Sequence, residues 1–141
     1  MLNERNDHHI AQTVEKINQT FGGKFKIEFY KNPWKTLQQF KEKGYHIIHL
    51  TMYGKQPGDA IKQIQKLEKI VIMIGADKVP GTAYQEADYN ISITRQPHSE
   101  VAALSVFLHY LWVGKEEEFV FKGGKKTIIP SARGKNVQTQ K

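Results

Sequence analysis

Apolar positions recur along the chain with two different periods, one typical of helices and one typical of strands. Helical spacing predicts a first helix at about residues 4–20 and a second from Asn32 to the residue before Gly44. A third helix is predicted after Gly58, with Ile61, Ile64 and Leu67 facing the core. A short helix after Pro80 and a long one at 99–113 follow. Alternating or continuous apolar runs predict strands at 25–29, 46–50, 70–74 and 89–93. Residues 70–74 are all apolar, which is typical of a strand covered on both faces.

The end of the chain has a different pattern. Two short apolar segments, 119–121 and 127–129, flank Gly123 and Gly124. Because paired glycines favour tight turns, these segments predict a C-terminal β-hairpin.

Strands that alternate with helices predict an α/β fold, with a mainly parallel sheet and helices on both faces. We expect residues 1–141 to form a single domain of this kind. Small ligands bind such folds beyond the carboxyl ends of the strands. Three unusual loops follow predicted strands: LTMYG at 50–54, GADKVPG at 75–81 and TRQPHSE at 94–100. In a parallel sheet they would meet at one edge, which predicts a small-molecule site there.

Charge is concentrated near the C-terminal end. The chain has 21 basic and 14 acidic residues, a formal charge of +7, and residues 119–141 contain six basic residues and no acidic one. Such clustering favours a phosphate-rich partner. A merely solvated tail fits the composition equally well.

Several kinds of site are disfavoured by the residues that are missing. The chain has no cysteine, which excludes disulfides, thiolate metal sites and a cysteine nucleophile. Neither a dinucleotide-binding nor a nucleoside-triphosphate glycine motif follows a strand. The histidines lack metal-ligand spacing, so no metal is expected. No apolar run reaches the roughly 18 residues of a membrane span, and the polar N-terminus is not a signal peptide, which predicts a soluble protein.

Five segments resemble the archaeal tRNA cytidine-56 2′-O-methyltransferases, a family of the SPOUT, or α/β-knot, superfamily. They are HLTMYG (49–54), MIGADKVP (73–80), EADYNISI (86–93), QPHSEVAAL (96–104) and IPSARGKNV (129–137). The first and fourth are quite specific to the family. The resemblance implies a cytoplasmic enzyme that methylates the ribose of cytidine-56 in tRNA with S-adenosylmethionine. It also implies that the C-terminal part of the sheet is threaded into a trefoil knot.

The resemblance also assigns cofactor-binding residues, because the family holds S-adenosylmethionine in the knot, largely through backbone groups of the three loops. Matching the motifs residue by residue assigns this role to Leu50, Gly75, Ala76, Asp77, Lys78, Val79, Ile93, Thr94, Arg95, Gln96, Pro97, His98, Ser99 and Glu100. The family usually has glycine and asparagine at the positions of Thr94 and Arg95, and glutamate at that of Asp77.

Partners follow from the same resemblance. Residues 115–141 would form a basic C-terminal hairpin and tail, in which Arg133 and Lys135 are predicted to contact tRNA phosphates. The family implies a homodimer. The helix at 101–113 suits this prediction because it is apolar on every side and needs cover on every side, although simple core burial explains it equally well.

One family motif has no counterpart in this sequence. Family members begin with a strand and a helix that carry a motif like RLGHR…RD.R.TTH…ARAFGA, which supplies the arginine usually assigned to activating the ribose hydroxyl. The catalytic residue is therefore unknown. We expect a truncated form of an active enzyme, because the cofactor loops survive. The alternatives are a degenerate protein that binds S-adenosylmethionine or tRNA without methyl transfer, and an unrelated α/β nucleotide-binding domain with a basic tail.

Overall fold

The computed structural model describes residues 8–75 and 79–140. The helices and strands of these residues are, in chain order, α1 (His8–Phe21), α2 (Pro33–Glu42), β1 (His46–Lys55), α3 (Pro57–Ile64), β2 (Ile70–Met73), α4 (Gly81–Glu86), β3 (Tyr89–Ile91), α5 (Glu100–Trp112), a 3₁₀ turn (Lys115–Glu118), β4 (Lys126–Ile129) and β5 (Asn136–Thr139). Within the described ranges, no helix has the length and apolar character that crossing a membrane requires.

The predicted helices are confirmed over the described residues, while residues 4–7 of the first one lie outside them. Local capping explains where two of the helices begin. The side chain of Asn32 accepts a hydrogen bond from the backbone N–H of Lys35, at 3.0 Å, just before Pro33 opens α2. The hydroxyl of Ser99 accepts one from the N–H of Ala102 at the start of α5. Such caps satisfy backbone donors that have no partner inside the first helical turn. The third helix is shorter than predicted and ends before Leu67.

The chain divides into two compact units. The larger unit, Asn32–Glu118, contains a parallel sheet with strand order β2-β1-β3. Its core lies between this sheet and the helices α3 and α5, and consists of Ile48, Leu50, Ile61, Ile64, Ile91, Ala103 and Phe107. Successive side chains of a strand point to opposite faces of the sheet. His49 therefore points away from the face of Ile48 and Leu50, and its ring contacts Tyr84 of α4. The α/β fold with a parallel sheet is thus confirmed.

The burial predicted for residues 70–74 is wrong. All four residues of β2 are only half-buried, and Ile74 is exposed. The reason is position, because β2 has one neighbouring strand in the described sheet, whereas β1 has one on each side. The residues of β1 from Ile47 to Leu50 are the buried ones.

The smaller unit combines residues 8–31 with residues 119–140. The N–H of Lys125 donates to the carbonyl of Gln19 in α1 at 3.2 Å, and β4 also packs near α1. Every residue of β4 and β5 is exposed. The prediction of one domain over the whole chain stays a prediction.

The strand predicted at 25–29 is wrong. Residues 22–31 lie outside the helices and strands, and the rings of Phe25 and Phe29 are exposed. An alternating pattern forms a strand only where another strand completes the ladder of backbone hydrogen bonds. Here the backbone carbonyl of Phe25 instead accepts a hydrogen bond from the side chain of Asn18, at 2.7 Å.

The strand pairing predicted around Gly123 and Gly124 is also wrong. Residues 119–121 form no strand, and β4 pairs antiparallel with β5 across the connection at 130–135. Gly124, together with Gly22, allows a close backbone approach instead. A Cβ on Gly124 would lie 2.3 Å from the carbonyl carbon of Phe21, and one on Gly22 would lie 2.7 Å from the carbonyl oxygen of Lys122.

A buried polar pair links β1 to β3. His49, which is 1% exposed, and Asn90 face each other in the parallel register, and the His49 Nδ1 lies 2.9 Å from the Asn90 Oδ1. The Asn90 Nδ2 donates to the carbonyl of Tyr84, so its Oδ1 is the acceptor for the imidazole N–H. His49 therefore carries its proton on Nδ1. Burial lowers the pKa of His49, and the hydrogen bond to Asn90 opposes this only in part.

Gly54 should tolerate no larger residue. A Cβ there would lie 2.5 Å from the carbonyl carbon and oxygen of Asn90, which belong to the backbone and cannot rotate away. We expect Gly54→Ala to lower the free energy of unfolding by about 1–3 kcal/mol in urea titrations. Gly58→Ala is the matched control, because a Cβ at Gly58 in α3 has no atom within 4 Å. Equal stability of the two variants would show that the close approach at Gly54 is unimportant.

The stability of the larger unit should depend on the protonation of His49. A histidine whose pKa is lower in the folded than in the unfolded chain binds protons preferentially when unfolded, so stability falls as the pH drops below about 6.5. His49→Asn keeps an N–H donor and does not titrate. We expect it to be less stable overall but to lose less stability between pH 7.5 and 5.5, as measured by urea unfolding.

This pH window avoids the titration of Glu116. The pKa of Glu116 is lowered from its ordinary 4.5 by its hydrogen bond with His109, so its contribution is lost only at more acidic pH. An identical loss in wild type and His49→Asn would contradict the assignment to His49.

Candidate functional site

A cavity of about 570 Å³ opens in the larger unit near the carboxyl ends of β1 and β2. Its wall combines the end of β1, the residues that follow β2, a side chain of α4, and the residues on either side of the start of α5. The lining residues are His49, Leu50, Thr51, Met52, Tyr53, Ile74, Gly75, Val79, Tyr84, Pro97, His98, Glu100 and Ala103.

The cavity follows from the direction of the strands. β1 pairs in parallel with both β2 and β3, so the segments that follow the three strands leave the sheet on the same side. Each of the three segments that the sequence singled out, 50–54, 75–81 and 94–100, contributes residues to the wall. This edge of a parallel sheet is the usual location of ligand sites in α/β proteins.

A bulge in β1 presents several of the lining side chains. Leu50 and Lys55 both align with Ile91 of β3, so the four residues between them are displaced from the ladder. The N–H of Ser92, the residue after β3, donates to the carbonyl of Lys55 at 2.8 Å and closes the bulge on its C-terminal side. The LTMYG segment is thus part of β1 and not a loop beyond a strand ending at Leu50, which corrects the sequence prediction.

Six of the fourteen predicted cofactor-binding residues lie in the cavity wall. They are Leu50, Gly75, Val79, Pro97, His98 and Glu100. Three more, Ala76, Asp77 and Lys78, lie outside the described residues. The other five, Ile93, Thr94, Arg95, Gln96 and Ser99, are not among the residues that line the cavity.

Two of those five side chains take part in the local structure of the loop. The hydroxyl of Thr94 accepts a hydrogen bond from the N–H of Gln96, at 3.3 Å. The hydroxyl of Ser99 caps α5. These contacts set the path of the backbone on either side of Pro97 and His98, the two loop residues that reach the cavity.

The sequence missed other lining residues, among them His49, Tyr84 and Ala103. Ala103 follows Glu100 by three residues in α5, and this helical spacing places both on one face, so the signal was present. Tyr84 reaches the wall only through the packing of α4, which no local pattern predicts. Its hydroxyl lies 3.3 Å from that of Thr51, and its ring meets the His49 ring edge-on, with 4.9 Å between centroids.

The wall offers several polar groups of different character. Glu100 supplies a half-buried carboxylate in the first turn of α5. The Nε2 of His98 has no solvent-accessible surface and no hydrogen-bond partner among the residues described, while its Nδ1 lies 3.3 Å from the carbonyl of Ser99. A buried polar atom without a partner costs free energy that a bound ligand could recover. Over the described ranges, no cluster of three or more acidic or histidine side chains is arranged to hold a metal ion.

The residues predicted to contact tRNA lie in the smaller unit. Arg133 is in the connection between β4 and β5, where its N–H donates to the hydroxyl of Ser131 at 3.3 Å. Lys135 immediately precedes β5. Both side chains are exposed, as a phosphate contact requires.

Comparison with known proteins gives concordant matches. A family model described as tRNA ribose 2′-O-methyltransferase, aTrm56, matches residues 21–138. A protein from Methanobrevibacter smithii named tRNA (cytidine(56)-2′-O)-methyltransferase is 42% identical to this chain, and the match covers 96% of this chain and 76% of the relative. The protein of the same name from Nitrosopumilus maritimus is 44% identical over 93% of this chain and 74% of the relative. The one from Sulfurisphaera tokodaii is 46% identical over 94% of this chain and 79% of the relative.

Among solved structures, Archaeoglobus fulgidus Nep1 bound to S-adenosylhomocysteine matches with a TM-score of 0.48 and 13% sequence identity, over 79% of this chain and 52% of that one. The family model covers most of the chain, and the sequence relatives agree with it. These matches confirm the family that the five segments indicated: the chain belongs to the aTrm56 family of tRNA ribose 2′-O-methyltransferases.

Proposed function

We propose that this chain transfers a methyl group from S-adenosylmethionine to the ribose 2′-hydroxyl of cytidine-56 in tRNA. Family membership and the names of the relatives support this function. The single observation that carries it is the cavity, because HLTMYG and QPHSEVAAL, the two segments most specific to the family, both form part of its wall. The cavity and the family signature thus coincide.

The cavity suits S-adenosylmethionine in size and in lining. Its volume of about 570 Å³ falls within the usual range for small-molecule pockets. The wall combines apolar side chains with the Glu100 carboxylate and the unpartnered Nε2 of His98. S-adenosylmethionine carries a positively charged sulfonium and an ammonium group, and a half-buried carboxylate stabilises positive charge nearby.

When bound, this cofactor supplies an electrophilic methyl group. The tasks left to the protein are to hold the ribose 2′-oxygen in line with that methyl group, to exclude water and to accept the proton of the hydroxyl. We assign the first two tasks to the cavity wall and propose no residue for the third.

We also propose a homodimer, a knotted C-terminal part of the sheet and a cytoplasmic location, as expected for a tRNA-modifying enzyme of this family. The helix α5 supports the dimer. Ala103 and Phe107 are buried, whereas Val101 is 70% exposed and Val113, just after the helix, is 69% exposed. A second copy of the chain would cover these apolar side chains.

The activity should be measurable directly. We expect the chain to transfer a labelled methyl group from S-adenosylmethionine to an unmodified tRNA transcript, with the label on the ribose at position 56. A transcript with uridine at this position is the control and should accept far less label. Binding of both ligands without transfer would replace the proposal with a binding function, and equal labelling of both transcripts would overturn the specificity for cytidine-56.

The cofactor site can be tested by reversing one charge. We expect Glu100→Lys to weaken the binding of S-adenosylhomocysteine at least tenfold by calorimetry, because the carboxylate lies in the wall and its replacement brings a positive charge. Glu117→Lys is the matched control, since Glu117 is exposed on the 3₁₀ turn and is not a lining residue. Similar affinities of both variants would show that the cofactor binds elsewhere.

A further inference from the structure

The two units differ sharply in charge. Residues 32–118 contain ten basic and ten acidic residues, so their formal charge is zero. The described residues of the smaller unit, 8–31 and 119–140, contain nine basic and two acidic residues, which gives +7. This equals the formal charge of the whole chain, which is also +7. The charge asymmetry thus follows the division into units and is not confined to the C-terminal tail.

Folding adds lysines from the first part of the chain to those of the tail. The N–H of Gly23 donates to the carbonyl of Lys122, and the backbones of Gly22 and Gly124 each approach the other segment closely. Residues 22–26 are therefore held beside residues 121–125. As a result Lys24 and Lys26, which are distant from the tail in sequence, belong to the same unit as its basic residues.

Phe25 lies between these two lysines and points its ring into solvent. The ring is 69% exposed, and the side chains of Lys24 and Lys26 are exposed as well. The hydrogen bond from Asn18 to the carbonyl of Phe25 anchors the backbone at this residue. An exposed ring on an anchored backbone, between two cations, has the composition of a site that stacks a nucleobase and neutralises adjacent phosphates.

We propose that residues 24–26 are a second RNA contact of this protein, in which the ring of Phe25 stacks on an unpaired base and Lys24 and Lys26 contact phosphates. The inference deepens the proposed function and rests on it, because it takes RNA as the substrate. Charge complementarity favours RNA as the occupant, since the unit that holds the ring carries +7 and two acidic residues.

The test uses the full chain and an unmodified tRNA transcript, with affinity measured by fluorescence anisotropy at several salt concentrations. We expect the double variant Lys24→Ala, Lys26→Ala to bind tRNA at least about tenfold more weakly at low salt. The slope of log affinity against log salt concentration should become smaller in magnitude by about two, because two phosphate contacts are lost. The matched control, Lys62→Ala with Lys66→Ala, removes two exposed lysines from the larger unit, whose net charge is zero. It should change neither the tRNA affinity nor the salt slope.

Phe25→Ala separates stacking from charge. We expect it to weaken tRNA binding about five- to hundredfold while the salt slope stays as in wild type, because a stacked ring releases no counterions. Binding to heparin, a polyanion without bases, should be unchanged. A heparin affinity that falls as far as the tRNA affinity would overturn the stacking, and so would a Phe25→Ala variant that binds tRNA like wild type.

The outcomes for this inference and for the proposed function are distinct. Normal tRNA binding by all the variants, in a protein that transfers methyl groups, would overturn the inference alone. Weakened binding by the variants, in a protein that transfers none, would support the inference and overturn the methyltransferase function. If the variants lost affinity for an acidic protein but kept their affinity for tRNA, RNA would be rejected as the partner at residues 24–26. Circular dichroism melts of every variant should match wild type, because the substituted side chains are exposed.

Discussion

The parallel pairing of β1 with both of its neighbours is the constraint on which the site depends. β2 and β3 hold β1 from either side, so that three chain segments leave the sheet along one edge. The buried hydrogen bond between His49 and Asn90 fixes part of this register, since leaving either group unpaired in the core would cost free energy. The bulge after Leu50 then turns the following side chains of β1 into the wall of the cavity. Without this arrangement, the two most family-specific segments would not line one cavity.

Much of the larger unit could be predicted from sequence, because its signals are local. The helices predicted from Asn32 and at 99–113 begin where Asn32 and Ser99 cap them. The alternation of strands and helices implied a parallel sheet whose loops would meet. What could not be predicted depends on neighbours. The bulge in β1 requires the backbone of Asn90 beside Gly54, and Tyr84 reaches the cavity only through the packing of α4. The apolar run at 70–74 suggested a central strand, yet its place in the sheet is decided by the pairing of β1.

The smaller unit was harder to predict for a similar reason. Residues 25–29 alternate like a strand but lie outside the strands of the described structure, and the segment is held by Asn18 and by the close approach of Gly22 to Lys122. The pair Gly123 and Gly124 predicts a turn, whereas the lack of a side chain at Gly124 permits its close approach to Phe21. Only the folded chain shows that Lys24 and Lys26 belong with the basic tail. A neutral unit that contains a small-molecule cavity and a basic unit suited to RNA would divide the work of a tRNA methyltransferase between them.

Amide hydrogen exchange with and without S-adenosylhomocysteine tests the central claim most directly, because it reports the location of binding and not only its strength. The account predicts slower exchange at residues 49–53, 74–75 and 98–103, where the three segments line the cavity, and unchanged exchange in β4 and β5. Slower exchange confined to the basic unit, or no change along the three segments in a protein saturated with S-adenosylhomocysteine, would contradict it.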